Sequence, residues 1–138
     1  MFFKKNENFN KDQSLVKIAA LLIHAAKIDQ NYSDQEREII KKTLININKK
    51  KENIDKIIKQ GEEIEENSNQ ILDFTKEVKN MKEENKFEIL ENLWRIIYSN
   101  NEADMYETNL MRRLGGLLYI DKKIMADIKD KIKKEYLK

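Results

Sequence analysis

Not one proline occurs in the 138 residues of this chain, and glycine occurs only three times. Proline breaks a helix interior, and glycine is the usual residue where the backbone must turn left-handed. A chain so poor in both has nothing to interrupt long helical runs and little material for tight hairpins. Sustained apolar–polar alternation, the mark of a half-buried strand, is missing as well. The expectation is an all-α fold. It is a compact single domain of about seven helices built from two related helix-link-helix halves. Residues 1–11 read as a polar leader and residues 12–138 as the helical domain.

Apolar residues recur at helical spacing. Leu15, Ile18, Ala19, Leu22, Ile23 and Ala26 form one stripe and predict a first helix over about 12–28. A second helix starts at Ser33 and buries Ile39, Ile40, Thr43, Leu44 and Ile47. After a solvated turn, "NKKKEN" at 48–53, Ile54, Ile57, Ile58 and Ile64 mark a third helix. Ile71, Phe74, Val78 and Met81 mark a fourth. The fifth is the most apolar: Phe87, Leu90, Trp94 and Ile97 make its stripe, and "LWRIIY" at 93–98 is apolar almost all round. Such a helix is expected at the centre, with Trp94 in the core. A sixth helix from Asp104 carries Leu110, Met111, Leu114, Leu117 and Leu118. A seventh, from about Asp121 to Tyr136, turns Ile124, Met125, Ile128 and Ile132 inward.

Gly115 and Gly116 fall inside the sixth helix, where each costs about 1 kcal/mol relative to Ala. The pair predicts close approach of a neighbouring backbone, that of the fifth helix. The alternative is a helix break after Leu114.

The chain's 27 basic and 25 acidic residues leave a net charge of +2, so there is no electrostatic case for nucleic acid. It contains no cysteine, which excludes a disulfide scaffold, a zinc ribbon and a cysteine nucleophile and fits a reducing, cytoplasmic setting. The run "IAALLIHAA" at 18–26 is far shorter than the ~20 residues that span a bilayer. The opening "MFFKKNENFN" does not read as a secretory signal.

Two stretches share one chemical plan. "KIDQNYSDQE" at 27–36 and "YSNNEADMYE" at 98–107 each run from an apolar helix through a short polar link to Ser/Asp-x-x-Glu. Ser33 with Glu36, and Asp104 with Glu107, have the spacing of capping boxes. The cap oxygen accepts from the third backbone N–H of the new helix, and the Glu reaches back to the cap's own N–H. The other reading is a cation site, because Asp29, Asn31 and Ser33 are spaced like the first ligands of a calcium loop. Asp34 and Ile40 stand where an EF-hand needs Gly and Glu, so neither stretch is an EF-hand.

At these residues the chain resembles the TerB-like family, the tellurite-resistance TerB domain and its bacterial relatives. The segment 74–100, with its Leu-Trp pair, is similar to the family's central region, and "NLMRRLGGLL" at 109–118 to the helix after the second motif. The resemblance implies an all-helical stress-response domain with no enzymatic activity. It also implies a divalent cation, Ca²⁺ or similar, at the acidic motifs. Carried over residue by residue, the metal positions are Asp29, Glu36, Glu102, Asp104 and Glu107, with Ser33 in the first motif. Asn100 replaces the second motif's usual Asp, and Gln30 and Asn101 replace the glycines of the first and second motifs. Related domains on membrane-anchored co-chaperones serve protein interaction.

The remaining candidates have structural readings. His24, the only histidine, lacks any partner set for zinc and is expected packed or half-exposed. The lysines of the seventh helix are diluted by Asp121, Asp127, Asp130 and Glu135 and read as a solvated face. No triad or Gly-rich phosphate loop is present, so catalysis is not expected. The function expected is a cytoplasmic, non-enzymatic TerB-like domain that binds a protein partner and a divalent cation, oligomerisation being open. The alternative is a membrane-peripheral or co-chaperone-type interaction module that needs no metal.

Overall fold

The computed structural model describes the backbone of residues 2–28, 32–49, 52–68, 71–99 and 105–136. Side chains are described over 13–28, 32–49, 52–68, 71–99 and 109–136. Within these residues the chain forms seven helices and no strand: α1 (Phe2–Lys27), α2 (Asp34–Asn48), α3 (Ile54–Glu66), α4 (Leu72–Lys79), α5 (Glu83–Tyr98), α6 (Met105–Leu117) and α7 (Lys122–Tyr136).

α1 begins at Phe2 rather than near residue 12. The apolar stripe marks where burial starts, at Leu15, whereas backbone hydrogen bonding continues wherever no Pro or Gly stops it. α1 is also more central than one stripe implies. Every residue from Ile18 to Ile23 is buried, as are Ala25 and Ala26, and the helix contacts α2, α3, α4 and α5. α5 shares that position, touching α1, α2, α4 and α7 and burying Leu90, Leu93, Trp94, Ile96 and Ile97. The fold is therefore arranged around two helices.

Small residues let α1 and α3 approach each other closely. A Cβ built on Gly61 would lie 2.9 Å from Ala19 Cβ and 3.2 Å from both Ala20 N and Val16 O. Normal carbon–carbon contact is about 3.5–4.0 Å, so only glycine fits there. The glycines of α6 behave differently from expectation. The helix does not break after Leu114. At Gly115 the neighbour is the Met125 side chain of α7, whose Cγ a Cβ would meet at 3.2 Å, and not the backbone of α5. At Gly116 a Cβ would have open space.

α6 ends in a Schellman turn. Ile120 N–H donates to Gly115 O at 2.9 Å and Tyr119 N–H to Gly116 O at 3.3 Å, which places Tyr119 in the left-handed region at φ 56. Glycine is the usual occupant there, so the two α6 glycines sit one turn too early to supply it. Another departure from the expected core is Ile124, in the first turn of α7, which is 38% exposed. Ile128 and Ile132 carry the burial of that helix.

Polar contacts fasten α7 to α5. Arg95 grips Glu135 with two bonds, Nε to Oε2 at 3.0 Å and Nη2 to Oε1 at 2.9 Å. Lys131 Nζ reaches Glu91 Oε1 at 2.8 Å. The Glu135 carboxylate raises the Arg95 guanidinium further, against the opposing effect of burial. A planar fork on a carboxylate fixes direction as well as distance.

Candidate functional site

The corner between α1 and α2 carries the first acidic motif. Ser33 has extended backbone angles, φ −91 and ψ 166, which place its side chain over the open end of α2. Glu36 N–H donates to Ser33 Oγ at 3.2 Å, and Ser33 N–H donates to Glu36 Oε1 at 2.8 Å. Ser33 Oγ–H also reaches Glu36 Oε1, at 3.0 Å. The capping box expected here is complete. Glu36 is only 1% exposed, and the positive end of the helix favours its charge. One of its oxygens is thus already committed to the corner's own backbone and hydroxyl.

Tyr32 stands beside the cap, and its role escaped the sequence reading. Its hydroxyl oxygen is buried and no hydrogen-bond acceptor or donor sits in bonding geometry around it among the described residues. Glu62 and Arg37 are its charged neighbours, near enough to affect titration without standing as partners of full geometry. Burial first, and then the charge of Glu62, pushes the phenol up to about 12. An aromatic residue in an otherwise polar link was the available signal: it ties the corner to α3, which carries Glu62.

The second corner follows α5. Ser99 closes that helix, its N–H donating to Arg95 O and its Oγ–H to Ile96 O at 2.6 Å. Of the motif residues, Glu107 lies in the first turn of α6, but its side chain lies outside the described residues. So do Asp29, Glu102 and Asp104 in full, and the paired capping box at Asp104 and Glu107 with them. Among the described residues, no three His, Cys, Asp or Glu side chains converge as ligands would. Of the expected metal positions, then, Glu36 is seen in full, and it is seen as a helix cap.

His24 sits half-exposed, as expected, with Nδ1 3.7 Å from Glu65 Oε1. The same carboxylate receives Lys27 Nζ at 3.0 Å, so this is a surface ion cluster between α1 and α3. No helix among the described residues is long and apolar enough to cross a membrane.

The acidic motif that follows both α1 and α5 in the sequence agrees with a comparison against known families. The family model of the tellurite resistance protein TerB matches residues 15–130. The chain belongs to the TerB family. The match takes in both corners of this TerB domain and most of α7, and it starts at Leu15, where burial in α1 starts. No curated protein and no solved structure matches the chain.

Proposed function

We propose that this TerB domain is a non-enzymatic stress-response module of the cytoplasm that acts by binding a partner protein. In the same reading its two acidic corners take a divalent cation, Ca²⁺ or similar, through Asp29, Glu36, Glu102, Asp104 and Glu107. The observation that carries the proposal is the family match over 15–130, which spans both motifs and the helices between them.

The capping geometry shapes the cation part. Hard cations need several converging oxygens, and Glu36 Oε1 already accepts from Ser33. The first corner would therefore contribute chiefly through Asp29, with the second corner supplying most of the negative charge.

Two experiments test the proposal. The full chain, used as bait in extracts of its host before and after tellurite exposure, should retain a protein partner in stoichiometric amount. Calorimetric titration with Ca²⁺, Mn²⁺ and Zn²⁺ should show binding that Asp29→Ala combined with Asp104→Ala abolishes. If no cation binds below the millimolar range, the cation part fails. If the double variant loses stability alone, the corners are helix caps and nothing more.

A further inference from the structure

α6 and α7 enclose a groove of about 420 Å³ floored by Trp94 of α5. Met111, Met125 and Ile120 complete its apolar surface, and the backbone is bare at Gly115 and Gly116. Its rim is cationic: Arg112, Lys122 and Lys129 line it, and among the described residues no acidic one does. None of these three cations forms an ion pair among the described residues, whereas Arg95 and Lys131 nearby are both paired. Lys129 is held over the Trp94 ring, Nζ 5.3 Å from the centroid. Asp121, Asp127 and Asp130 adjoin lining residues in sequence, but none of the three lines the groove, and Asp121 caps α7, its Oδ1 accepting from Lys123 N–H at 3.1 Å. Trp94 is 3% exposed, and its indole N–H has no acceptor among the described residues.

We infer that this groove is the docking site for an acidic peptide segment of a partner protein, one that inserts apolar side chains against Trp94 and places carboxylates on the rim. The inference rests on the partner-binding reading above and deepens it. Charge complementarity chooses the occupant. Lys122 and Lys129 are about 10 Å apart along α7, and Arg112 lies on the other helix. The cationic rim is thus spread over two helices and along about 10 Å of one of them, a span that several carboxylates match better than a single one. A ligand that spreads several carboxylates around an apolar anchor, as an amphipathic acidic segment does, complements both the rim and the floor. Flexible Met111 and Met125 can reshape the floor around such an anchor, and burying apolar surface between paired charges is the usual anatomy of an interface.

Trp94 is the only tryptophan, so its emission reports directly on the groove. The probe is a short synthetic peptide with Leu and Phe anchors and flanking glutamates, alongside its Glu-to-Gln and Glu-to-Lys versions and sodium oleate. The Glu peptide should shift or quench Trp94 emission with micromolar affinity and weaken with salt. Arg112→Glu with Lys129→Glu should weaken it by about tenfold or more. Gly116→Leu, which fills open space in the groove without changing charge, should block it while circular dichroism stays unchanged. No response to the Glu peptide up to millimolar concentration overturns the proposal. So does equal binding of the Lys version, or a response to oleate alone. Bait experiments keep the two readings apart: a partner that wild type and Gly116→Leu capture equally refutes the groove and leaves partner binding standing. Peptide binding with no captured partner does the reverse.

Discussion

Replacing Gly61 by Ala sets two effects of similar size against each other. Alanine is the better helix former by about 0.8–1 kcal/mol, and Gly61 lies inside α3. Against that gain, the new methyl would sit 2.9 Å from Ala19 Cβ and 3.2 Å from main-chain atoms of Ala20 and Val16. None of these atoms is the end of a flexible side chain. All belong to α1, which is enclosed by α2, α3, α4 and α5 and cannot yield alone. Forcing a methyl into a packed interface of this kind costs about 1–3 kcal/mol. The expected net is a loss of about 1 kcal/mol, up to ~2 kcal/mol, read by urea unfolding followed through Trp94 emission. For a domain of this size 1 kcal/mol moves Tm by about 3–4 °C. Gly116→Ala is the control: it gains the same propensity and meets nothing within 4 Å, so it should stabilise by about 0.5–1 kcal/mol. Placing Gly61→Ala on an Ala19→Gly background should recover about 1 kcal/mol as coupling between the two sites. If Gly61→Ala proves as stabilising as Gly116→Ala, the close approach of α1 and α3 is not real and the reasoning fails.

Three further outcomes are expected. Tyr119→Gly should stabilise by about 0.5–1 kcal/mol, since glycine removes a left-handed penalty of about 1–2 kcal/mol while losing the contact with Lys79, whose Nζ lies 4.4 Å from the ring centroid; a lower urea midpoint would contradict this. Glu36→Ala should cost about 1–2 kcal/mol in urea unfolding, whereas Glu36→Gln, which keeps an oxygen for Ser33 N–H, should recover most of it; equal losses would refute the capping role. The Tyr32 phenol, raised from 10.0 to about 12 by folding, contributes stability that is whole below pH 10 and disappears as pH climbs through 12. Tyr32→Phe should therefore flatten the alkaline fall in Tm and cost little at neutral pH, because the deleted hydroxyl has no partner in full bonding geometry among the described residues; an unchanged alkaline profile would count against it.

The helices and the first corner were legible because each rests on local chemistry. Period-3.6 burial exposes a helix even when its ends are blurred, and Ser33 with Glu36 is a cap readable from four residues. What stayed hidden depends on a neighbour that sequence does not name. Ile18–Ile23 reads as one stripe plus small residues, and only tertiary packing shows it to be enclosed on every side. Gly61 looks like any helix-weakening glycine until α1 is laid against it. The Gly115–Gly116 pair predicts a neighbouring backbone of α5, whereas the crowding atoms are those of a methionine side chain on α7 and only Gly115 meets them. Arg95 and Glu135 are 40 residues apart, too far for any local spacing rule to join them. Of the acidic site, Glu36 alone has its side chain in view, and its cap was readable while its burial was not.

The position of α1 has a consequence for how the chain can be divided. The repeat invites the idea of two autonomous halves meeting at the link around 69–70, but α1 buries one flank on α3 and others on α4 and α5. A fragment ending before that link would leave the flanks of α1 that meet α4 and α5 exposed to water. Expressed separately, the two pieces should each remain unstructured and recover helicity only on mixing, so that complementation, not autonomy, is the behaviour this arrangement of helices dictates.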